Sequence, residues 1–221
     1  MAFGPIMRMK VGELNIELAP IEKDDTVALL PGMHQFSITQ YFSHAIVPTL
    51  EDEHEWHDEV RKDKNRIVWG IWVHESGGRK LIGTTAINEM KKKPLYQAVT
   101  GVMITDKDYW GKGIAKVTHK ARTWFAFEKV GIVRLKSAVV QGNVASLKAL
   151  QSVGYNLVYM ERNDVFIDGT PRHVDNLECL NPADWAWSQW WGEDKPTEQA
   201  VEAREKTREA MAWAEANVEL P

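Results

Sequence analysis

The stretch Trp110-Gly111-Lys112-Gly113-Ile114-Ala115 is the most informative part of the sequence, because it follows one predicted strand and begins one predicted helix. The start of a helix leaves backbone N–H groups unpaired and carries the positive end of the helix dipole. Glycines let the backbone close on a bulky anion, and Lys112, Lys116 and Lys120 add positive charge nearby. The stretch therefore predicts a phosphate or pyrophosphate site, although a glycine turn into a core helix is an equally good explanation of an isolated Gly-x-Gly.

The segments around this stretch differ in their hydrophobic pattern. Before it lie predicted strands that alternate apolar and polar residues or are rich in Val, Ile, Trp and Thr, with a hairpin turn at Ser76-Gly77-Gly78-Arg79. After it, helical and strand patterns alternate. The predicted strands are 14–18, 66–75, 80–89, 97–104, 132–140, 155–167 and 172–180, and the predicted helices include 49–63, 114–130 and 144–153. Asp24 and Asp25 predict a short helix that ends near Pro31-Gly32, and Thr49-Leu50-Glu51-Asp52 predicts a capping box at the start of helix 49–63. Antiparallel strands followed by strand–helix–strand–helix indicate an α+β (mixed α/β) fold.

The overall composition is that of a globular protein. The chain has 221 residues, 44% of them apolar and 26% charged, with a net charge of −4. No run approaches the roughly 20 apolar residues of a membrane span, and the negative net charge argues against general nucleic-acid coating. The single cysteine, Cys179, cannot form an internal disulfide, so we expect a cytoplasmic protein.

The glycine stretch resembles the signature of the GCN5-related N-acetyltransferase (GNAT) family, Gln/Arg-x-x-Gly-x-Gly/Ala, at all but its first position. Together with Tyr109 it is similar to the branch that acetylates the N-termini of ribosomal proteins. Asn143-Val144-Ala145-Ser146, a helix and Gly154-Tyr155 match a second family pattern, and Asp168-Gly169 with Asp175 match a third. The resemblance covers about residues 14–180. It implies a central, mostly antiparallel, splayed sheet flanked by helices, with residues 1–180 as the acetyltransferase domain.

The resemblance also implies the site and the reaction. An amine would attack the thioester of acetyl-CoA directly in a ternary complex, and the acceptor would be a protein N-terminus or a small-molecule amine. Ser146 would protonate the departing thiolate, and a backbone N–H would stabilise the oxyanion. The cofactor-binding residues implied are Met103 and Ile104 for the pantetheine, the backbone of Gly111, Lys112, Gly113, Ile114, Ala115 and Lys116 for the pyrophosphate, and Asn143, which is also placed in the catalytic set.

Two positions depart from the family pattern. Leu150 stands where many members have a tyrosine general acid, and Val99 and Thr100 stand where many have a carboxylate. The base is therefore unassigned; Glu89 could reach the amine through water, or could be a solvated residue at a strand end. The same departures favour an alternative function, a catalytically weak CoA-binding module.

Two charged clusters in residues 51–59 have alternative interpretations. His54 and His57 are three residues apart on a predicted helix, but no further His or Cys cluster completes a metal site, so we predict a surface pair and no metal. Six acids lie in the same nine residues. They form either a solvated helix face or an acidic wall that attracts cationic acceptors.

Residues 181–221 lie beyond the resemblance. Trp185, Trp187, Trp190 and Trp191 fall within seven residues, and an Ala/Glu-rich helix follows Pro196. We expect these tryptophans to pack against the core or a second subunit, since burying a large apolar side chain yields about 1.5–3 kcal/mol. The thin alanine stripe of the helix predicts that it projects outward or pairs with its copy in a homodimer. An assembly protein acting through this tail is a further alternative.

Overall fold

The computed structural model describes residues 2–42, 47–92 and 94–221. Its strands are β1 (Met7–Val11), β2 (Leu14–Ala19), β3 (Ile67–Glu75), β4 (Gly78–Lys91), β5 (Gln97–Ile104), β6 (Arg134–Val140), β7 (Asn156–Ile167) and β8 (Thr170–Leu180). Its α-helices are α1 (Leu30–Met33), α2 (Phe36–Thr39), α3 (Leu50–Lys62), α4 (Ile114–Trp124), α5 (Val144–Gln151), α6 (Asp184–Trp191) and α7 (Glu198–Asn217). This is the predicted mixed α/β fold, with mostly antiparallel strand pairs.

The chain divides into two compact units. The first unit comprises Met1–Glu89, Gly101–Thr118 and Asn217–Pro221, and the second comprises Met90–Thr100 and His119–Ala216. Strand β5 therefore contributes its first half to the second unit and its second half to the first. The predicted boundary at residue 180 lies inside the second unit.

The first unit is built on the antiparallel strands β1, β2, β3 and β4, paired in that order. The second half of β5 lies beside β4 in this sheet. The Thr85 hydroxyl donates to Gly101 O at 2.9 Å, and Thr105 N donates to Ile82 O at 2.8 Å. One side of this sheet buries an apolar cluster of Ala19, Ile21, Leu29, Val60, Val68, Trp72 and Leu81. Because Val60 belongs to α3, this cluster fixes α3 against the sheet.

The second unit contains the first half of β5 and strands β6, β8 and β7, paired in that order. The β5–β6 pair is parallel and comprises Gln97–Arg134, Ala98–Leu135 and Val99–Lys136. Backbone pairing with β6 thus stops at Val99, although β5 continues to Ile104. In a splayed sheet two neighbouring strands separate, so the predicted splay requires that β5 and β6 stop pairing before β5 ends.

Helix α7 packs on its own unit, which corrects the expectation that it projects outward, and the homodimer stays a prediction. Its stripe Ala200, Ala203, Thr207, Ala210 and Ala214 is buried. At Gly154 an added Cβ would collide with the Thr207 hydroxyl and with Ala203 O, so glycine permits the close approach of α7. The Thr207 hydroxyl also lies 3.4 Å from Cys179 Sγ. The stripe is occupied within the second unit and is not a free dimer surface.

The tryptophan segment forms helix α6, which the sequence did not predict. The Arg204 guanidinium lies 4.5 Å from the Trp187 ring centroid, and that of Arg134 lies 5.1 Å from the Trp190 ring centroid. Trp185 is 52% exposed, so it does not pack against the core, and its packing against a second subunit stays a prediction. Ala186 is the buried residue of the helix.

Three further element predictions are corrected. Strand β1 precedes the segment predicted as the first strand. Pro31-Gly32 lies inside α1 and does not end a helix, since proline is tolerated in a first turn. The helix predicted over 114–130 changes at Trp124 into a π-helical turn, Phe125–Lys129, so the α-helical hydrogen-bond pattern ends six residues early.

Candidate active site

The glycine loop has the backbone conformation that its sequence requires. Gly111 and Gly113 have φ values of 73° and 80°, in the left-handed region that side chains disfavour. A Cβ on Gly113 would lie 3.2 Å from Val11 Cγ2, so this glycine is also crowded by β1. Glycine at these two positions therefore lets the chain turn into α4 without backbone strain.

The start of α4 keeps hydrogen-bond donors available. The first backbone bond of the helix joins Val117 N to Gly113 O at 3.2 Å. Over the described ranges, the N–H groups of Ile114, Ala115 and Lys116 have no partner. Lys112 and Lys116 are exposed beside them, whereas the Ile114 side chain is buried and anchors the helix. Unpaired N–H groups and cationic side chains at a helix start suit a pyrophosphate.

The segment before the loop is fixed by hydrogen bonds of the first unit. The buried Tyr109 donates its hydroxyl to the Glu75 carboxylate, which raises the pKa of Tyr109, and burial adds to this. Lys80 Nζ lies 2.7 Å from Asp106 Oδ2. Burial alone would raise the pKa of Asp106, but the Lys80 bond and the N–H of Asp108 lower it on balance. The loop is thus held in place before any ligand binds.

Trp110 links the loop to the end of β5. Its indole Nε1 donates to Ile104 O at 3.0 Å. Met103 and Ile104 are half-buried, and the next residue, Thr105, is buried and bonded to Ile82 O through its N–H. The Ile104 carbonyl is therefore already engaged by Trp110, which limits it as a pantetheine acceptor. The first unit brings Met103, Ile104 and the glycine loop together as predicted.

Asn143 and Ser146 lie together at the start of α5 in the second unit. Asn143 Oδ1 accepts a hydrogen bond from Ser146 N at 3.2 Å and caps the helix. Ser146 is half-buried, and its hydroxyl has no hydrogen-bond partner in the part of the chain that the structure describes. The hydroxyl is thus available to donate a proton, and the roles of both residues stay predictions.

Two of the positions that depart from the family pattern are structural. Leu150 is buried at 2% exposure and belongs to the core. Thr100 is also buried, with its hydroxyl 3.0 Å from the Tyr155 hydroxyl. The sequence identifies Thr100 only as a position where a carboxylate is missing, and it does not predict this contact with Tyr155. The Gly154-Tyr155 pair is the feature of the sequence that could have indicated it.

Glu89 lies on β4, is exposed, and has a left-handed φ of 51°. Gly83, whose Cβ would collide with Met103 O, is six residues back along β4, about 20 Å in an extended strand. The structure thus keeps Glu89 away from the end of β5. Its role as a base through water stays a prediction.

The charged clusters of α3 separate into exposed and buried members. Glu51, Asp52, Glu55 and Glu59 are exposed, whereas Asp58 pairs with Lys23 at 2.6 Å. Glu53 is 6% exposed, and burial, with Asp52 nearby, raises its pKa. His57 is buried, stacks on Phe3 and has Nε2 3.0 Å from Ile21 O, so the predicted surface histidine pair is wrong for this member.

Within residues 2–42, 47–92 and 94–221, no group of three or more His, Cys, Asp or Glu side chains is arranged to hold a metal ion. In the same ranges, no helix has the length and apolar character needed to cross a membrane.

Comparisons with known proteins agree with this geometry. The sequence model of the acetyltransferase (GNAT) domain matches residues 15–156. The probable N-acetyltransferase YjcK of Bacillus subtilis (strain 168) is 25% identical over 130 residues, covering 59% of this chain and 70% of the relative. Mycobacterium smegmatis RimJ in complex with CoA-disulfide is similar in structure, with a TM-score of 0.69 at 16% identity, over 99% of this chain and 96% of that chain.

The spermidine N-acetyltransferase of Vibrio cholerae, solved with CoA and spermine, has a TM-score of 0.66 at 16% identity and covers 75% of this chain and 95% of that chain. At these identities the two structures show the fold, and the family model shows the family. The chain belongs to the GNAT acetyltransferase family.

Proposed function

We propose that this acetyl-CoA-dependent N-acetyltransferase binds its cosubstrate at the glycine loop of the first unit. The observation that carries the proposal is the start of α4, where three consecutive N–H groups have no partner within residues 2–42, 47–92 and 94–221 and lie beside two exposed lysines. In this proposal, Gly111 to Lys116 hold the pyrophosphate. Met103, Ile104 and Asn143 contact the pantetheine arm.

The reaction needs no covalent enzyme intermediate. The neutral amine attacks the thioester carbonyl carbon, a C–N bond forms and the C–S bond breaks. The amine loses its proton to a base, and the Ser146 hydroxyl gives a proton to the CoA thiolate and regains one from the protonated base through solvent. Ser146 suits this role because its hydroxyl is half-buried and unpaired in the described part of the chain, whereas its N–H is fixed by Asn143. Holding both reactants in one ternary complex supplies much of the rate enhancement.

The acceptor is a primary amine, and two classes compete. A polyamine is suggested by the structural neighbour that was solved with spermine, and by the exposed acids of α3, which attract cations. A protein N-terminus is suggested by the Tyr109–Ala115 motif. We propose the cytoplasm as the compartment, since Cys179 is free and buried.

The test is acetyl-CoA turnover, measured as thiol release, against spermine, spermidine and peptides with free N-termini. Turnover with either acceptor class supports the proposal and identifies the class. A protein that binds acetyl-CoA and turns over none of these amines would instead support the alternative, a CoA-binding module with weak catalysis.

A further inference from the structure

The interior of the second unit contains a chain of polar side chains that the proposed reaction does not use. Four of its members are nearly fully buried, with exposed fractions of 0% for Arg122, 1% for His119, 2% for Tyr155 and 4% for Thr100. Burying so many polar groups is unfavourable unless each is hydrogen-bonded. A cluster of this kind therefore calls for an explanation beyond core packing.

The hydrogen bonds of this cluster run in one direction. The Thr100 hydroxyl donates to Lys136 O at 3.2 Å, so the Tyr155 hydroxyl, 3.0 Å away, donates to Thr100 Oγ1. Arg122 in turn donates to the Tyr155 oxygen. The series of hydrogen bonds from Arg122 through Tyr155 and Thr100 thus ends at a backbone carbonyl of β6. Bonds arranged in series in a dry interior strengthen one another.

The protonation states of the cluster are consistent with this direction. Burial raises the pKa of Tyr155, so its hydroxyl keeps its proton. Burial, helped by the Arg122 charge, lowers the pKa of His119 well below its ordinary value. The neutral His119 Nδ1 then accepts from Arg122 Nη2 at 2.8 Å. Arg122 is therefore oriented from two sides within the second unit.

Thr100 occupies the position at which the β5–β6 ladder ends. The last backbone pair is Val99–Lys136, and Thr100 is the next residue of β5. Its hydroxyl bonds Lys136 O, and its own carbonyl accepts from the Ser137 hydroxyl at 3.2 Å. Side chains thus replace backbone pairing where the two strands stop following each other.

We propose that Tyr155 is a positioning residue for acetyl transfer, because its hydroxyl holds Thr100 at the point where β5 ends its pairing with β6. The proposal rests on the proposed function, in which Met103 and Ile104 at the end of the same strand contact the pantetheine. The direction of β5 beyond Thr100 determines where that contact is made. Tyr155 itself touches neither substrate nor acetyl-CoA in this proposal.

The first test needs no ligand. Tyr155→Phe removes only the hydroxyl, Thr100→Val removes the other hydroxyl at constant shape, and the double variant removes both. We expect the amides of Val99 to Ile104 to exchange with deuterium faster in each single variant. The effect of the double variant should be smaller than the sum of the two single effects, since both changes break the same Tyr155–Thr100 bond. Unchanged exchange, or fully additive effects, would overturn the proposal.

The second test separates positioning from stability. In Tyr155→Phe, folded by circular dichroism, kcat should fall about tenfold or more, since small displacements of reacting groups are costly. Tyr159→Phe, on a 54% exposed tyrosine, is the matched control and should leave kcat unchanged. A lowered melting temperature with unchanged kcat and KM would mean that Tyr155 is merely structural, and the proposal fails. An inactive wild-type protein would overturn the proposed function, while the exchange test would still decide the role of Tyr155.

Discussion

Helices α4 and α5 begin in opposite ways. At α4, two left-handed glycines precede the helix, and the N–H groups of residues 114–116 have no partner within the described ranges. At α5, Asn143 Oδ1 accepts the N–H of Ser146 at 3.2 Å. Within the described ranges, one helix start leaves its donors unpaired, and the other satisfies a donor with its own side chain.

Helix α3 shows what a purely structural start looks like. Thr49 and Asp52 form a reciprocal capping box there, as the sequence predicted, with Asp52 N donating to Thr49 Oγ1 at 3.2 Å. A capped start favours a fixed helix, whereas an uncapped start forgoes about 1 kcal/mol of stability. The missing cap at α4 is therefore consistent with binding, and the cap at α5 with the exact placement of Ser146.

The largest expected effect is at the α4 start. Gly113→Asp places a carboxylate and a strained side chain where the pyrophosphate is proposed to bind, and its Cβ would press on Val11. We expect acetyl-CoA to lose its stabilising effect, which for the wild type is about 2.7 kcal/mol at a hundredfold excess over Kd. Thermal melts with and without acetyl-CoA measure this loss.

Gly131→Asp is the matched control for this change. Gly131 has φ 77°, close to that of Gly113, and a Cβ there meets no atom within 4 Å. The control should lower the melting temperature through backbone strain while the shift with acetyl-CoA remains. If acetyl-CoA still raises the melting temperature of Gly113→Asp, the glycine loop is a simple turn. The starts of α4 and α5 then do not differ in ligand binding.

The next effect is at the α5 start. Ser146→Ala should lower kcat by about 10²–10⁴-fold, the range of a general acid, with little change in acetyl-CoA affinity. Stability should change little, because the cap uses the backbone N–H of Ser146 and not its hydroxyl. Steady-state kinetics with calorimetric Kd values make the measurement.

Ser152→Ala, at the other end of α5, is the control serine, and its hydroxyl donates to Ala149 O at 2.7 Å. It should retain full turnover. Equal kcat in Ser146→Ala and the wild type would remove Ser146 from the mechanism and leave water as the acid.

The parts of the site that follow local rules were predictable from sequence. Strand β5 has the predicted bounds, the capping box of Thr49 is confirmed, and Gly111 and Gly113 have the left-handed conformation that only glycine adopts easily. In each case the residue type itself carries the conformational preference. No long-range contact is needed to read it.

The parts that depend on contacts distant in sequence were not predictable. The alanine stripe of α7 looked too thin to be a buried face, because its partner is the bare backbone of Gly154. Strand β1 alternates Met7 and Met9 with Arg8 and Lys10, but methionine has no strong strand preference. The cluster of Arg122, Tyr155 and Thr100 joins α4, β5 and the loop before β7, and the Gly154-Tyr155 pair alone does not predict which residues Tyr155 contacts.

The smallest expected effect compares the two capped helices. Thr49→Ala and Asn143→Ala should each lower the free energy of unfolding by about 1 kcal/mol, which corresponds to roughly 2–4 °C in Tm for a chain of this size. Urea denaturation of the two variants measures this cost.

Turnover should distinguish the Thr49 variant from the Asn143 variant. Thr49 itself has no proposed contact with substrate, and its loss leaves the exposed acids of α3 in place, so kcat and KM should stay at wild-type values. Asn143→Ala releases the N–H of Ser146 and removes the proposed pantetheine contact, so kcat should fall and KM for acetyl-CoA should rise. If Asn143→Ala loses stability alone, Asn143 is only a cap, and the starts of α3 and α5 are the same kind of structure.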